Sequence, residues 1–321
     1  MKQIDYYIAN TLKTVKKYNK YVMDVFSGNG PYSSKYRFID RKKNKKKLLY
    51  VLSGYKPYLW NNVFDRLSKF VKDDIDVCVV SSGKYSEELA SVCANNDWSY
   101  LSTTRNNICV ITNIVIRLFN KAELIYKMDE DIYLTEGCFE KMETMLIRVE
   151  KEGYSVGFVG PVVPINPFCM YRFIKRHGDL QEAEKIVGKR IDKCGFDEQV
   201  MRSNCGIDRY IWTISKNIDD LASVYYDEEG YDLCYARYYI GFVLFRRTLI
   251  EEMGPFKVFA GKGSGSEGDE GQLISYCILN SKVMAVARNT LVGHFSMGGA
   301  ERSVLEYKEK HPEVFELIER T

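Results

Sequence analysis

Short apolar runs alternate with helix-period segments along the first half of this chain, and that alternation limits its fold more than any other feature. Leu48-Leu49-Tyr50-Val51-Leu52 reads as a buried strand, and the helix that follows from Pro57 to Val71 sets Leu59, Val63, Leu67 and Phe70 on one side. Asp76 to Gly83 repeats the strand, Ser86 to Asn95 the helix, and Tyr100 to Thr103 supplies a weaker third strand. A helix from Asn107 to Asn120 and a strand from Leu124 to Met128 complete the series. Apolar strands that alternate with helices predict an α/β domain built on a mostly parallel, doubly wound sheet. Ligands of such sheets bind beyond the carboxyl ends of the strands, near the point where strand order reverses. That rule puts Ser53-Gly54-Tyr55, Ser81-Ser82, Thr104-Arg105-Asn106 and the acids Asp129 to Asp131 on one rim.

The acids form the triplet Asp129-Glu130-Asp131, directly after an apolar strand. In extended backbone alternate side chains share a face, so Asp129 and Asp131 point one way and Glu130 the other. Two carboxylates on one face suit a hard divalent ion that keeps some waters and also takes phosphate oxygens. A solvated acidic turn ahead of a helix capped by Thr135 is the other reading of the same residues.

Beyond the triplet, Glu136 to Glu152 reads as a helix and Ser155 to Val163 as a strand that stops at Pro164 and Pro167. Residues 165–235 lose the rhythm and mix aromatics, Trp212, Tyr225, Tyr226 and Tyr231 among them, with glycines and charges. Order returns with Ala236 to Phe245, a helix from Arg247 to Met253, the glycine-rich segment Gly261 to Gly268, and a helix from Asp269 to Asn280. A strand from Val283 to Ala287 then leads to Gly293-His294-Phe295.

The 321 residues, 45% of them hydrophobic, fit one large α/β domain with an elaboration. No apolar run reaches the length of a membrane span, and the amino-terminal stretch lacks the apolar core of a signal peptide, so a cytoplasmic protein is expected. Nine cysteines scattered singly, with no C-x-x-C pair, predict reduced and mostly buried thiols. Residues 3–26 carry Ile4, Ile8, Leu12, Val15, Val22 and Phe26 at helical intervals. The basic run Arg41 to Lys47 follows, either a solvated linker or a contact to the anionic inner face of a membrane. Nucleic acid is not an expected partner, because no basic groove or base-stacking motif accompanies that run.

In this order the segments resemble a glycosyltransferase of the GT-A fold, most like the inverting, nucleotide-sugar-dependent enzymes of glycosyltransferase family 2, over roughly residues 48–296. Leu124 to Asp131 looks like that family's strand ending in an aspartate, any residue, aspartate. Asn106 and Asn113 fall where it has asparagines flanking the preceding helix. Tyr239 to Arg247 with Met253-Gly254-Pro255-Phe256 is similar to its segment under the acceptor site. Gly268-Asp269-Glu270-Gly271-Gln272-Leu273 resembles its second acidic motif, and Leu291 to His294 its strand ending in a histidine.

The resemblance implies a mixed, mostly parallel sheet flanked by helices and a divalent metal, Mn2+ or Mg2+, held by Asp131, Asp129 and His294. It implies a nucleotide-sugar donor, a UDP-sugar foremost, bound through Ser53, Gly54, Tyr55, Ser82, Arg105, Asn106, Asn113 and Asp129. The acceptor is a glycan or lipid-linked hydroxyl, and the catalytic base is Glu270 or Asp269, with Glu270 favoured. Ser81-Ser82-Gly83-Lys84 departs from the acids that many members use to hold the base of the nucleotide. Residues 1–47 are expected as a helical, basic extension, 48–164 as the nucleotide-sugar half, 165–235 as an insertion shaping the acceptor site, 236–296 as the acceptor half and 297–321 as a helical tail. Trp212 and Tyr226 are the aromatics expected to stack on sugar rings, and Gly261 to Gly268 reads either as a loop closing over the donor or as a plain connector. Two other functions stay open: a sugar-phosphate nucleotidyltransferase, and a nucleotide-sugar-binding protein without catalysis.

Overall fold

The computed structural model describes residues 30–193, 205–258 and 268–318, with the side chain of Cys205 excepted. The helix expected over residues 3–26, Cys194 and the glycine-rich residues 261–267 lie outside the described residues.

The chain begins with β1 (Tyr36–Ile39), β2 (Lys47–Leu52), α1 (Trp60–Phe70), β3 (Ile75–Ser81), α2 (Glu87–Asn95), β4 (Ser99–Thr103), α3 (Ile108–Leu118) and β5 (Leu124–Asp129). Next come β6 (Ile132–Tyr133), α4 (Cys138–Lys151), β7 (Val156–Val162), α5 (Pro167–His177), α6 (Leu180–Val187), α7 (Cys205–Ser215) and α8 (Ile218–Ser223). The remainder is β8 (Tyr231–Leu233), β9 (Phe242–Arg246), α9 (Arg247–Met253), α10 (Asp269–Leu279), β10 (Val283–Leu291), β11 (Gly293–His294) and α11 (Glu301–Lys310). The helix starts follow the sequence chemistry. Ser86 accepts from Leu89 N–H at 3.3 Å and Asn107 from Val110 N–H at 3.1 Å, so each caps its helix.

One mixed sheet runs β1-β4-β3-β2-β5-β9-β7-β10-β8. The pairs β2/β3, β3/β4, β2/β5 and β7/β10 are parallel, while β1, β8 and β9 pair antiparallel. This is the expected class, a mixed sheet flanked by helices, although among the described residues its parallel and antiparallel pairings are equal in number where the sequence predicts a parallel majority. Every residue of β3 is buried, which is why its sequence shows a continuous apolar run instead of alternation. The chain winds outward through β2, β3 and β4 and then returns to β5 on the other side of β2. Strand order therefore reverses between β2 and β5.

Two antiparallel pairings set the site. Along β5 and β9, Met128 faces Phe242, and Asp129 N–H donates to Gly241 O at 2.8 Å. The small ribbon of β6 and β11 puts His294 opposite Ile132, and Phe295 N–H donates to Asp131 O at 2.9 Å. Residues more than 160 positions apart are thus brought beside Asp131 by backbone pairing alone.

Several elements differ from the sequence expectation. Tyr36–Ile39, inside the stretch expected as a helical extension, is an edge strand on β4. The described residues between 167 and 223 are largely helical, where the sequence loses its strand–helix rhythm. The strand expected at Val283 to Ala287 runs on to Leu291 through a register shift. Lys42, Lys43, Lys46 and Lys47 of the basic run are in ion pairs with acids of the fold, and Lys43 and Lys45 N–H both donate to Asp76. No helix among the described residues is long and apolar enough to cross a membrane. The seven cysteines with described side chains are free and buried, as expected.

Candidate functional site

The reversal between β2 and β5 opens a cavity of about 320 Å³. Ser53, Tyr55 and Lys56 line it from the loop after β2, Ser82 and Asn106 from the loops after β3 and β4, and Asp129, Asp131 and His294 form the acidic wall. Ser53, Tyr55, Ser82, Asn106 and the three acids of the inferred rim therefore share one pocket with the volume of a small-molecule site, while Gly54, Ser81, Thr104 and Arg105 do not line it.

Glu130, in the turn after β5, lines the same pocket and accepts from Gly54 N–H (2.8 Å), Tyr55 N–H (2.9 Å) and Trp60 Nε1 (2.7 Å). It is the clamp that shapes the loop after β2. Gly54 has φ +129° there, and a Cβ would meet Ser81 Cβ at 3.3 Å, so the loop demands glycine. Gly83, at φ +82°, would place a Cβ 2.5 Å from Asn106 Cβ. Tyr55 donates from its hydroxyl to Ser82 O at 2.5 Å, with Lys84 Nζ 4.2 Å from its ring centroid.

Asp131 is buried, and its Oδ2 lies 2.6 Å from Lys56 Nζ and 3.3 Å from His294 Nε2. Burial works against its charge, but His294 and Lys56 outweigh that and hold its carboxyl well below the usual carboxylate range. His294 titrates above its ordinary value, because the attraction of Asp131 exceeds the burial that favours its neutral form. Asp129 behaves oppositely. Burial raises it to about 6, with Asp131 adding to the rise and Lys127 opposing it. Lys127 itself is buried within β5, donating to Asp129 Oδ1 at 2.7 Å and to Ile240 O at 2.8 Å.

The second acidic motif opens α10 beside the same β5–β9 junction. Ile240 O accepts from Lys127, while Ile240 N–H faces Glu270 Oε2 at 3.4 Å. Arg237 Nε donates to Glu270 Oε1 at 2.7 Å. Burial raises the Glu270 carboxyl above its ordinary value and Arg237 opposes the rise. Asp269 is buried, and its Oδ2 has no hydrogen-bond partner among the described residues.

Asp131 Oδ2 and His294 Nε2 stand as close as two donors on one ion, and Asp129 shares their wall. No three His, Cys, Asp or Glu side chains among the described residues gather into a ready-built metal site. The set fits a divalent ion that takes one or two protein donors and completes its shell with water and phosphate oxygens.

Asn113, Trp212 and Tyr226 lie elsewhere. The Asn113 amide donates to Pro31 O (2.9 Å) and Phe256 O (2.8 Å) and accepts from Phe256 N–H (2.8 Å), so it ties α3 to the segment after α9 and does not line the pocket. Trp212 is a core residue and not a sugar platform: it packs on Phe315 and Tyr133, and its Nε1 donates to Phe295 O at 2.8 Å. Tyr226 lines a separate cavity with Lys69, Phe70 and Gly137. The sequence reading missed Lys56, Lys127, Arg237 and Glu301, the last bonded to Lys56 and Tyr58. Lys127 carried a signal, since a lysine inside an apolar strand flanked by apolar residues must have a partner.

No protein-family model matches this chain, and no curated protein matches it in sequence. Among solved structures it is similar to the mannosyltransferase PcManGT from Pyrobaculum calidifontis in complex with GDP-Man and Mn2+, at 11% identity and TM-score 0.44, over 88% of this chain and 66% of that one. It is also similar to GalNAc-T7 with UDP, GalNAc and Mn2+, at 8% identity and TM-score 0.47, over 79% of this chain and 44% of that one. A cytidylyltransferase from Leptospira borgpetersenii serovar Hardjo-bovis (strain JB197) matches 36% of this chain and 54% of its own length, at 15% identity and TM-score 0.29. This chain thus spans less than two thirds of the first two neighbours. All three TM-scores lie below 0.5, so any functional reading has to stand on this chain's own residues.

Proposed function

We propose that the protein is a glycosyltransferase that moves a sugar from a nucleotide-sugar, a UDP-sugar foremost, to a hydroxyl of a glycan or lipid-linked acceptor, with inversion. The observation that carries this reading is the convergence of Asp129, Asp131 and His294 on one wall of the pocket at the strand-order reversal, with Glu270 against the adjoining β9 entry. A divalent ion, Mn2+ or Mg2+, held by Asp131 and His294 with Asp129 beside them, would supply Lewis-acid stabilisation of the diphosphate leaving group. Ser53, Tyr55, Ser82 and Asn106 bind the nucleotide across the pocket, and Arg105, whose carbonyl accepts from Thr103 Oγ1 at 2.9 Å, shapes the loop that carries Asn106. Glu270, its carboxyl raised by burial and steadied by Arg237, takes the proton of the acceptor hydroxyl as that oxygen attacks the anomeric carbon. Asp269, buried beside it at the start of α10, is the alternative base.

The loop after β2 speaks against the nucleotidyltransferase reading. The N–H groups of Gly54 and Tyr55, which a triphosphate cradle would need, are occupied by Glu130. The test is a panel of nucleotide-sugars with a hydroxyl acceptor, followed by product analysis. Nucleoside diphosphate release supports the proposal, whereas pyrophosphate as product, or tight binding with no product, overturns it.

A further inference from the structure

Lys56 stands against the oxygen that a metal would take. Its ammonium is 2.6 Å from Asp131 Oδ2 and 3.2 Å from Glu301 Oε2 at the start of α11, and Tyr58 holds the same glutamate. An ammonium in that position and a divalent ion on Asp131 would repel each other strongly at short range. Asp131, however, is 5% exposed and cannot be left buried and unpaired. Lysine suits a movable counter-charge, since it is a point charge on a flexible stem that pairs with phosphate as well as carboxylate. The contrast with Lys127 is plain. Lys127 is 3% exposed and locked between Asp129 and Ile240 O, whereas the Lys56 side chain is 22% exposed and lines the pocket.

We propose that Lys56 is an exchangeable counter-ion of the site. Without metal it neutralises Asp131 and Glu301; a divalent ion entering at Asp131 and His294 displaces its ammonium into the pocket, where it pairs with the diphosphate of a nucleotide. The inference rests on the reading of this pocket as a metal and nucleotide site.

The test is calorimetric titration of the full chain with Mn2+ alone, and then with UDP at saturating Mn2+, in the unmodified protein, Lys56→Met and Lys56→Arg. The expected result is that Lys56→Met binds Mn2+ about fivefold more tightly, the worth of one partly exposed ion pair, and gains more Tm from it. Its affinity for UDP with Mn2+ falls by about the same factor, and Lys56→Arg restores most of that loss. Lys56→Gln replaces the methionine variant if the latter does not fold. Equal or weaker Mn2+ binding by the neutral variant, or UDP affinity that does not fall, overturns the inference alone. Absence of Mn2+ binding by every form overturns it together with the metal reading of the pocket.

Discussion

Asp129 ends β5 and Glu130 and Asp131 form the turn after it, and each has its own partner: Lys127, a set of N–H donors, and Lys56 with His294. Asp269 and Glu270 open a helix, where the macrodipole already favours negative charge, and Arg237 is bonded there, on Glu270. Adjacent acids in one sequence motif thus have different chemistry, set by what the fold brings to each. The strand-end cluster is crowded with cations and holds Asp131 ionised. The helix-start cluster has Arg237 on Glu270, whose carboxyl burial keeps raised, which suits a metal-and-phosphate wall on one side and a proton acceptor on the other.

The comparison breaks most sharply at Asp131. Asp131→Asn is expected to lower nucleotide-sugar turnover by about a thousandfold, measured as nucleoside diphosphate release, with far-UV circular dichroism unchanged. Glu270→Gln is expected to cost about a hundredfold while leaving UDP binding intact. It should also remove the acidic limb of the kcat/KM profile, because activity requires the deprotonated carboxylate and rises with pH through its raised pKa. Arg237→Met sharpens the same point with a smaller effect. Arg237 opposes the rise, so its loss moves that limb to higher pH, and a limb that stays in place would assign the base elsewhere.

The smallest effect belongs to a third acid, Asp208. It is fully buried in α7, accepts from Met297 N–H at 2.7 Å, and burial raises it to about 7. The unfolded carboxyl titrates near about 4. The unfolded chain therefore loses its proton first, and the contribution of Asp208 to stability falls as pH rises from about 4 to about 7. Asp208→Asn, which keeps an acceptor for Met297, should remove that decline, read as Tm against pH.

Much of the fold was legible because strands buried on both faces and amphipathic helices leave unmistakable periods. The rim at Ser53, Ser82, Asn106 and Asp129 followed from strand ends alone, whereas the alternation expected from extended backbone stops at Asp129, because Glu130 and Asp131 form the turn into β6 and all three acids line the pocket. Tyr36–Ile39 and Tyr231–Leu233 were not legible, since short edge strands are defined by their partners more than by their own residues. Lys56 and Arg237 were hidden for a related reason. Each is a charge in an irregular loop, and only the folded chain shows which carboxylate it meets. Asn113 and Trp212 misled because a buried amide and a buried indole resemble ligand-binding groups in sequence, while in the fold their polar atoms are taken by backbone.

The most direct test of the metal and nucleotide wall is calorimetric titration of UDP into the full chain and into Asp131→Asn, each with and without Mn2+. The account predicts binding by the unmodified chain that strengthens with Mn2+ and a metal-dependent gain that disappears in Asp131→Asn. Equal affinity in the two proteins, or no binding under any of the four conditions, would contradict it.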